Sequence, residues 1–365
     1  MTKKIIIVAS GTGGHVVPAL VIAESLIKKD YSITWLGTKK GIENKLVKNK
    51  LIKICHINSS GIRGKDFFNI IKGLFNFIWS FFHVLVILIR EKPLFIIGFG
   101  GYISTSASVA AYVLRLPVYV HESNSIAGTA NKINHFISKK TFETFPDTFK
   151  TSNKIIHAGN PIKEAFNKIE TADRKYARDK KECNILIFGG SQGAKFFNET
   201  IPPCLHTFKD KINVIHISGY TNKDSIINAY KNHNIKSEVI DFSYNMETLY
   251  DWSDLIISRS GSMTLSEIAI SGRASILVPY LYAVDNHQYF NAKYFESNGA
   301  AIIIEQNKDF SDNLYQSLRD LINNKKDMYS MAINVKSLLP LNSSDIILRN
   351  IEELNEKHDN SASKE

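Results

Sequence analysis

Short runs of β-branched and aliphatic residues alternate along this chain with longer amphipathic segments. The runs Lys4–Ala9, Ser32–Leu36, Phe95–Gly98, Val118–His121, Ile185–Phe188, Val214–Ile217, Leu255–Ser258 and Ser275–Val278 are apolar almost throughout. Strands of that kind are buried on both faces. Between them, Pro18–Lys29, Thr105–Leu114, Ala194–His206, Met263–Ser271 and Asn286–Ser297 carry apolar residues at helical spacing. Fully apolar strands alternating with helices predict parallel sheets covered on both sides, an α/β architecture. The two halves open alike. Lys4–Ala9 runs into Ser-Gly-Thr-Gly-Gly-His and a helix, and Ile185–Phe188 runs into Gly-Gly-Ser-Gln-Gly-Ala and a helix. This predicts two Rossmann-like, doubly wound domains in tandem, with a boundary at the turn formers Gly159-Asn160-Pro161. No short-period repeat is visible.

One segment departs from the pattern. Residues 67–89 read FFNIIKGLFNFIWSFFHVLVILI, flanked by Lys65, Arg90 and Lys92. Its charge-free part, Gly73 to Ile89, spans about 25 Å as a helix, short of the ~30 Å hydrocarbon core of a bilayer. A span would also place the halves of one domain on opposite sides of a membrane. A helix that is part core and part membrane-docking face is expected, with a wholly buried helix as the alternative.

The 365 residues exceed what one core usually serves, which agrees with two domains. The net charge of +10 is unevenly placed: residues 1–160 hold 21 Lys and Arg against 8 Asp and Glu, and residues 161–365 hold 24 against 27. Nucleic acid, anionic lipid or a phosphorylated substrate would each suit a basic first half, and so would simple solvated lysines. Cys55, Cys183 and Cys204 are odd in number and far apart, which argues for a reducing compartment and against a zinc or disulfide framework. The apolar run after the N-terminal lysines is too short for a signal peptide, so a cytoplasmic location is expected. The final NEKHDNSASKE is expected to be disordered from about residue 357.

The candidate chemistry lies in loops at strand ends. Ser10-Gly11-Thr12-Gly13-Gly14-His15 lets backbone approach a ligand in front of a helix N-terminus, with His15 at its exit. It is not the dinucleotide fingerprint, because Val16 stands where that motif needs glycine. Gly189-Gly190-Ser191-Gln192-Gly193-Ala194 is suited to a diphosphate and lacks the Gly-Lys-Ser/Thr of a P-loop. Either loop alone could be a structural turn; two at equivalent places point to a site between domains. Gly98–Tyr102, His121-Glu122-Ser123-Asn124, Ser258–Ser262 and Asp285–Gln288 also follow strands, on the side where doubly wound folds bind ligands.

Taken together and in order, SGTGGH, SGIRGK (60–65), GFGGY, HESN with Ala127-Gly128, GNP (159–161), GGSQGA, SRSGSMTLSE (258–267) and DNHQYFNA (285–292) closely resemble the MurG family. The resemblance runs from about residue 4 to about 355. It implies the GT-B fold, two Rossmann-like domains facing across a cleft. Residues 1–160, with a C-terminal helix at about 340–356, would form the acceptor and membrane-facing domain, and 161–339 the donor domain. It implies transfer of N-acetylglucosamine from UDP-N-acetylglucosamine to the 4-hydroxyl of undecaprenyl-pyrophosphoryl-N-acetylmuramoyl-pentapeptide, with inversion, at the anionic cytoplasmic face of a bacterial inner membrane. No nucleic-acid partner and no cofactor are implied.

By the same resemblance, Thr12, Gly13 and Gly14 approach the diphosphate or donor sugar, Asn124 faces the sugar, and Ser191 contacts the nucleotide. Ser262, Met263, Thr264, Leu265 and Glu267 border uridine, with Glu267 on the ribose hydroxyls, and Gln288 reads hydroxyls of the sugar. His15 is the candidate base, since an unperturbed imidazole titrates near neutral pH, and Glu122 is the runner-up. No Asp-x-Asp occurs, so a metal bridging the diphosphate is not demanded; backbone amides, Ser191 and Lys163 could replace it. The chain departs from the family at Ser10 and Ser123, where Gly and Gln are usual, at Lys163 in place of Arg, and at His287 in place of Gln. Residues 242–246 also lack the usual acidic pair. A diacylglycerol glycosyltransferase, a UDP-sugar epimerase and a non-catalytic anion- or nucleic-acid-binding protein are the alternatives.

Overall fold

The computed structural model describes residues 3–58, 67–178, 180–190, 195–220 and 223–362, with the side chains of 67–70, 72 and 355–362 left aside. It divides into two compact units, residues 1–162 with 342–365, and residues 163–341.

The first unit alternates β1 (Lys3–Val8), α1 (Gly13–Ile27), β2 (Tyr31–Gly37), the single turn α2 (Glu43–Leu46), β3 (Ile52–His56), α3 (Phe67–Glu91), β4 (Ile96–Gly98), α4 (Tyr102–Val113), β5 (Val118–Glu122), α5 (Thr129–Ile137), β6 (Lys140–Glu143) and β7 (Ile155–His157). The seven strands are parallel in the order β3-β2-β1-β4-β5-β6-β7. Alternate residues of β1 serve opposite faces. Ile5 and Ile7 pack with Trp35, Phe95 and the buried face of α1, while Ile6 and Val8 pack with Val84 and Leu88 of α3 and with α4. This two-sided burial is why β1 reads as an unbroken apolar run.

The second unit comprises α6 (Ala172–Ala177), β8 (Cys183–Phe188), α7 (Lys195–Cys204), β9 (Ile212–Ile217), α8 (Lys223–Asn232), β10 (Ser237–Ile240), α9 (Met246–Trp252), β11 (Leu255–Ser258), α10 (Ser262–Ser271), β12 (Ala274–Leu277), α11 (His287–Ser297), β13 (Ile302–Ile303), α12 (Phe310–Asn323) and α13 (Lys325–Lys336). Its six strands run in the order β10-β9-β8-β11-β12-β13, all parallel. In both sheets the order reverses beside the first strand, between β1 and β4 and between β8 and β11. A doubly wound sheet opens a crevice at such a point, beyond the carboxyl ends of the strands.

The last helix, α14 (Ser343–Ala362), belongs to the first unit. Ile347, Leu348 and Ile351 are buried in the core on the α1 side, and Lys29 donates to Glu352 at 2.7 Å. The backbone of α14 is helical to Ala362, and residues 363–365 lie outside the described residues. The expected start of α1 moves. The Thr12 carbonyl accepts from the N–H groups of His15 and Val16, so the helix begins at Gly13 and His15 sits in its first turn.

Candidate functional site

In the first unit the glycine loop after β1 meets two neighbours. Gly100 (φ 105°) and Gly101 (φ 84°), after β4, hold conformations that favour glycine, and each lies where a Cβ would collide. A Cβ on Gly100 would sit 2.8 Å from His15 Nε2, and one on Gly101 would sit 2.8 Å from Ser10 Oγ. Ser123 Oγ donates to the Gly14 carbonyl at 3.1 Å, which ties the loop after β5 to the same point. Thr12 is exposed, and Gly13, Gly14 and His15 are half-buried. Sequence order thus places Thr12, Gly13, Gly14 and His15 at one lip of the crevice.

The Nδ1 edge of His15 faces the Ser10 carbonyl at 3.4 Å, and its Nε2 edge is turned toward Gly100. His121 lies close enough for the two rings to influence one another. Burial pushes the His121 imidazole down to about 4, so it is neutral, and its Nε2–H donates to the Gly159 carbonyl at 3.0 Å. It stacks at a tilt on Phe99 and pins the Gly159 turn to the end of β5.

Glu122, expected as an alternative base, holds its own loop together. Its carboxylate is buried, and Oε1 accepts from Asn124 N at 2.9 Å and Asn124 Nδ2 at 3.4 Å. Oε2 accepts from Gly128 N and from Asn131 Nδ2, both at 3.0 Å. Four donors wrapped around one carboxylate fix the turn from 123 to 128. Asn124 is presented half-buried by this turn. Nothing in residues 121–131 marks the arrangement beforehand, since it needs the whole turn to close.

In the second unit, Gly190 (φ 89°) ends the described part of the loop after β8 with open space around it. Ser191 lies outside the described residues. Across the switch point, α10 starts after Gly261, and its first-turn amides at Ser262, Met263 and Thr264 precede the first intrahelical bond, Leu265 N to Gly261 O at 3.0 Å. Donors of this kind suit an anion. Leu265, in the stretch expected to border uridine, has a fully buried side chain and an amide bonded to the Gly261 carbonyl.

Glu267 points the other way round the helix. It accepts from Tyr250 Oη at 3.0 Å. Removal from water pushes its carboxyl up to about 7, against the pull of the Tyr250 hydroxyl and of the positive charge of Lys163. Lys163 is exposed at the start of the second unit.

Gln288 is held in one orientation. The Tyr280 N–H donates to its Oε1 at 3.0 Å, so the side-chain oxygen is taken and the NH2 group faces away from that bond. Ser260 Oγ donates to the Gln288 carbonyl at 2.7 Å and Asn291 Nδ2 to the Ser260 carbonyl at 3.3 Å, which fastens α11 to the loop after β11. Arg259 is a residue for which the sequence offered a motif but no role. It is buried, donates to the carbonyls of Val278 and Pro279 and to Gln306 Oε1, and lies over the rings of Phe197 and Tyr280. It clamps three loops beyond the carboxyl ends of β11 and β12.

Against known proteins, residues 5–143 match the glycosyltransferase family 28 N-terminal domain, and residues 184–343 match the family 28 C-terminal domain. A protein of Vesicomyosocius okutanii named UDP-N-acetylglucosamine–N-acetylmuramyl-(pentapeptide) pyrophosphoryl-undecaprenol N-acetylglucosamine transferase is 38% identical over 93% of this chain and 95% of its own length. The chain belongs to the MurG family. A protein of the same name from Buchnera aphidicola is 36% identical over 98% of this chain and 99% of its own. The crystal structure of Acinetobacter baumannii MurG superposes with a TM-score of 0.85 at 31% identity, over 96% of this chain and 99% of that one. The chain therefore has the GT-B fold, with two Rossmann-like domains, and is a glycosyltransferase.

Proposed function

We propose that the protein transfers N-acetylglucosamine from UDP-N-acetylglucosamine to the 4-hydroxyl of a polyprenyl-pyrophosphoryl-N-acetylmuramoyl peptide, inverting the anomeric centre, at a membrane surface. The observation that carries this reading within a MurG-family chain is the place of His15, whose Nε2 edge lies against the glycine loop after β4. In the step, the acceptor oxygen bonds to the anomeric carbon, that carbon's bond to the diphosphate oxygen breaks, and the hydroxyl proton passes to His15 Nε2. UDP departs with the bonding pair. Its charge meets the first-turn amides of α10 and the cation of Lys163. Labelled UDP-N-acetylglucosamine supplied with a lipid-linked muramoyl peptide should yield a labelled disaccharide lipid. Transfer to diacylglycerol in its place would overturn the acceptor assignment.

Two residues set how the donor is held. Glu267 accepts the ribose hydroxyls, which requires the carboxylate. Affinity for UDP-N-acetylglucosamine should therefore rise between about pH 6 and 8, as the carboxyl raised to about 7 ionises. Glu267→Gln should flatten that profile, and an unchanged pH dependence in the variant removes Glu267 from the role. The same raised carboxyl makes the opposite contribution to folding. Its stabilising effect is complete below the unfolded value near 4.3 and is lost as pH rises through about 7.

Gln288, with its oxygen taken by Tyr280, offers its NH2 to sugar hydroxyl oxygens. Gln288→Ala should reduce discrimination between N-acetylglucosamine and its C4 epimer by about tenfold, read as the ratio of kcat/KM for the two donors. An equal loss for both sugars would show a general binding role.

The first unit also has a face suited to a bilayer. On α3, Ile71, Leu74, Phe75, Ile78, Trp79, Phe82, Val86 and Ile89 are all exposed, and their spacing of three and four residues makes one continuous stripe. The opposite face, with Ser80, Val84 and Leu88, is buried against the unit, so α3 lies on the protein. A wholly buried helix is corrected, since only 22% of the apolar window Gly73–Glu91 is buried. Arg90, Lys92, Arg115, Lys132 and Lys139 are exposed on the same and neighbouring segments and would meet anionic headgroups.

A further inference from the structure

We propose that the second unit carries another binding site, for a phosphorylated small molecule of nucleotide size, at the end of its sheet opposite the donor loops. A cleft of about 640 Å³ opens between the segment that precedes β8 and the C-terminal end of α9. Asn184, near the start of β8, and Asp251 and Trp252, just before β11, line it, whereas Gly190 and Arg259–Gly261 follow the far ends of those same parallel strands. The six residues of β8 put about 20 Å between the two places. Ligand pockets commonly occupy ~300–1,000 Å³, so the cleft admits more than an inorganic ion.

Its charge is what singles it out. Lys168, Arg174, Lys175, Arg178 and Lys180 line the cleft, against Glu170 and Asp251. This excess of cations lies in the half of the chain that holds fewer basic than acidic residues. Both acids are engaged, and so are three of the five cations: Arg178 with Glu170, and Lys175 and Lys180 with the buried Asp254 at 3.6 and 3.1 Å. Glu170 pairs with Arg178 at 2.5 Å, and Asp251 Oδ1 accepts from Glu170 N at 2.8 Å and lies 3.4 Å from Arg273 Nη2. Beneath the floor, Lys175 and Arg273 are buried, and each donates to backbone carbonyls: Lys175 to those of Asp251 and Trp252, Arg273 to those of Tyr250, Glu170 and Ser271. Both are also balanced by carboxylates, Lys175 by Asp254 and Arg273 by Asp251, so the positive charge left to a ligand is that of the cations at the mouth. At the mouth, Lys168 and Arg174 are exposed and make no ion pair among the described residues. Arginine and lysine so placed offer donors to phosphate oxygens, and half-buried Trp252 adds aromatic surface for a planar group.

The chain has three tryptophans, and Trp35 and Trp79 belong to the first unit, so the Trp252 indole reports on this cleft alone. In full-length fluorotryptophan-labelled protein, with the Trp252 resonance assigned by W252F, titration with ADP should shift that resonance saturably. The double variant K168E/R174E should raise the half-saturation concentration by about tenfold or more, while K39E/K40E, an equal charge change at exposed lysines of the first unit, should leave it unchanged. Should K168E/R174E melt earlier than the parent, K168Q/R174Q is held to the same criterion with a smaller expected rise. A resonance that stays still up to millimolar ADP overturns the proposal. So does a shift whose half-saturation ignores the Lys168 and Arg174 changes, which would report binding elsewhere, or one that both charge-reversed variants weaken alike, which would report bulk charge.

Discussion

Replacing His15 by alanine should lower turnover by about 10²–10⁴-fold and leave the affinity for UDP-N-acetylglucosamine nearly unchanged, the signature of a lost general base. The Nδ1 edge of His15 faces the Ser10 carbonyl, and its Nε2 edge is turned toward Gly100. His15 belongs to the first unit, whereas Glu267, Gln288 and the amides of α10 belong to the second, so removal of the imidazole leaves the donor contacts in place. A companion change tests the positioning. Gly100→Ala adds a methyl 2.8 Å from Nε2 at a backbone φ of 105°, and either the imidazole or the loop must give way. It should reduce kcat with little effect on donor KM, even though the imidazole itself is retained. Collapse of donor affinity in His15→Ala would make His15 a binding residue. Unaltered turnover would leave the reaction without its proposed base.

Much of this architecture was legible because burial on both faces writes itself into composition. β1, β2, β4, β5, β8, β9, β11 and β12 all appear as apolar runs. The strands that escaped notice are shorter or more polar. β6 reads Lys-Thr-Phe-Glu, and it becomes a strand through its ladder with β5, Tyr119 against Lys140 through Glu122 against Glu143. β10 begins Ser-Glu and is paired on one side only, by β9, while β13 has two residues and is fixed by β12. Pairing partners far along the chain decide such segments, and no local pattern reports them.

The site divides along the same line. Glycines before a helix announce themselves, since a positive φ or a close approach selects for glycine, and His15 follows such a run. The roles of Glu122, Leu265 and Arg259 depend on what surrounds the side chain after folding. Glu122 looked like a base because it is an acid at a strand end in the crevice, yet a turn of six residues folds its amides onto it. Leu265 lies in the stretch expected to border the ligand and helical spacing turns its side chain into the core, while Glu267, two residues on, is largely withdrawn from water and keeps only part of its surface exposed.

The α3 stripe should prove to be the membrane contact. The triple change Phe75→Ser, Trp79→Ser and Phe82→Ser should lower partitioning onto anionic vesicles by at least about 100-fold, given ~1.5–3 kcal/mol for each large apolar side chain moved out of water. Those side chains are 57–67% exposed, so serine there removes few internal contacts, and the melting temperature should hold. Binding of the parent protein should weaken with salt, because basic residues beside an anionic surface contribute about 1 kcal/mol each. Transfer to a membrane-embedded acceptor should fall much more than transfer to a short-chain soluble one, since docking brings the enzyme to its lipid-held substrate and takes no part in the bond exchange. If both reactions fall together and melting drops, the stripe is core. If vesicle binding persists with folding intact, the membrane contact lies elsewhere on the molecule. The exposure of the stripe, set against the burial of Val84 and Leu88 on the opposite side of the same helix, favours release from the vesicle with the fold intact.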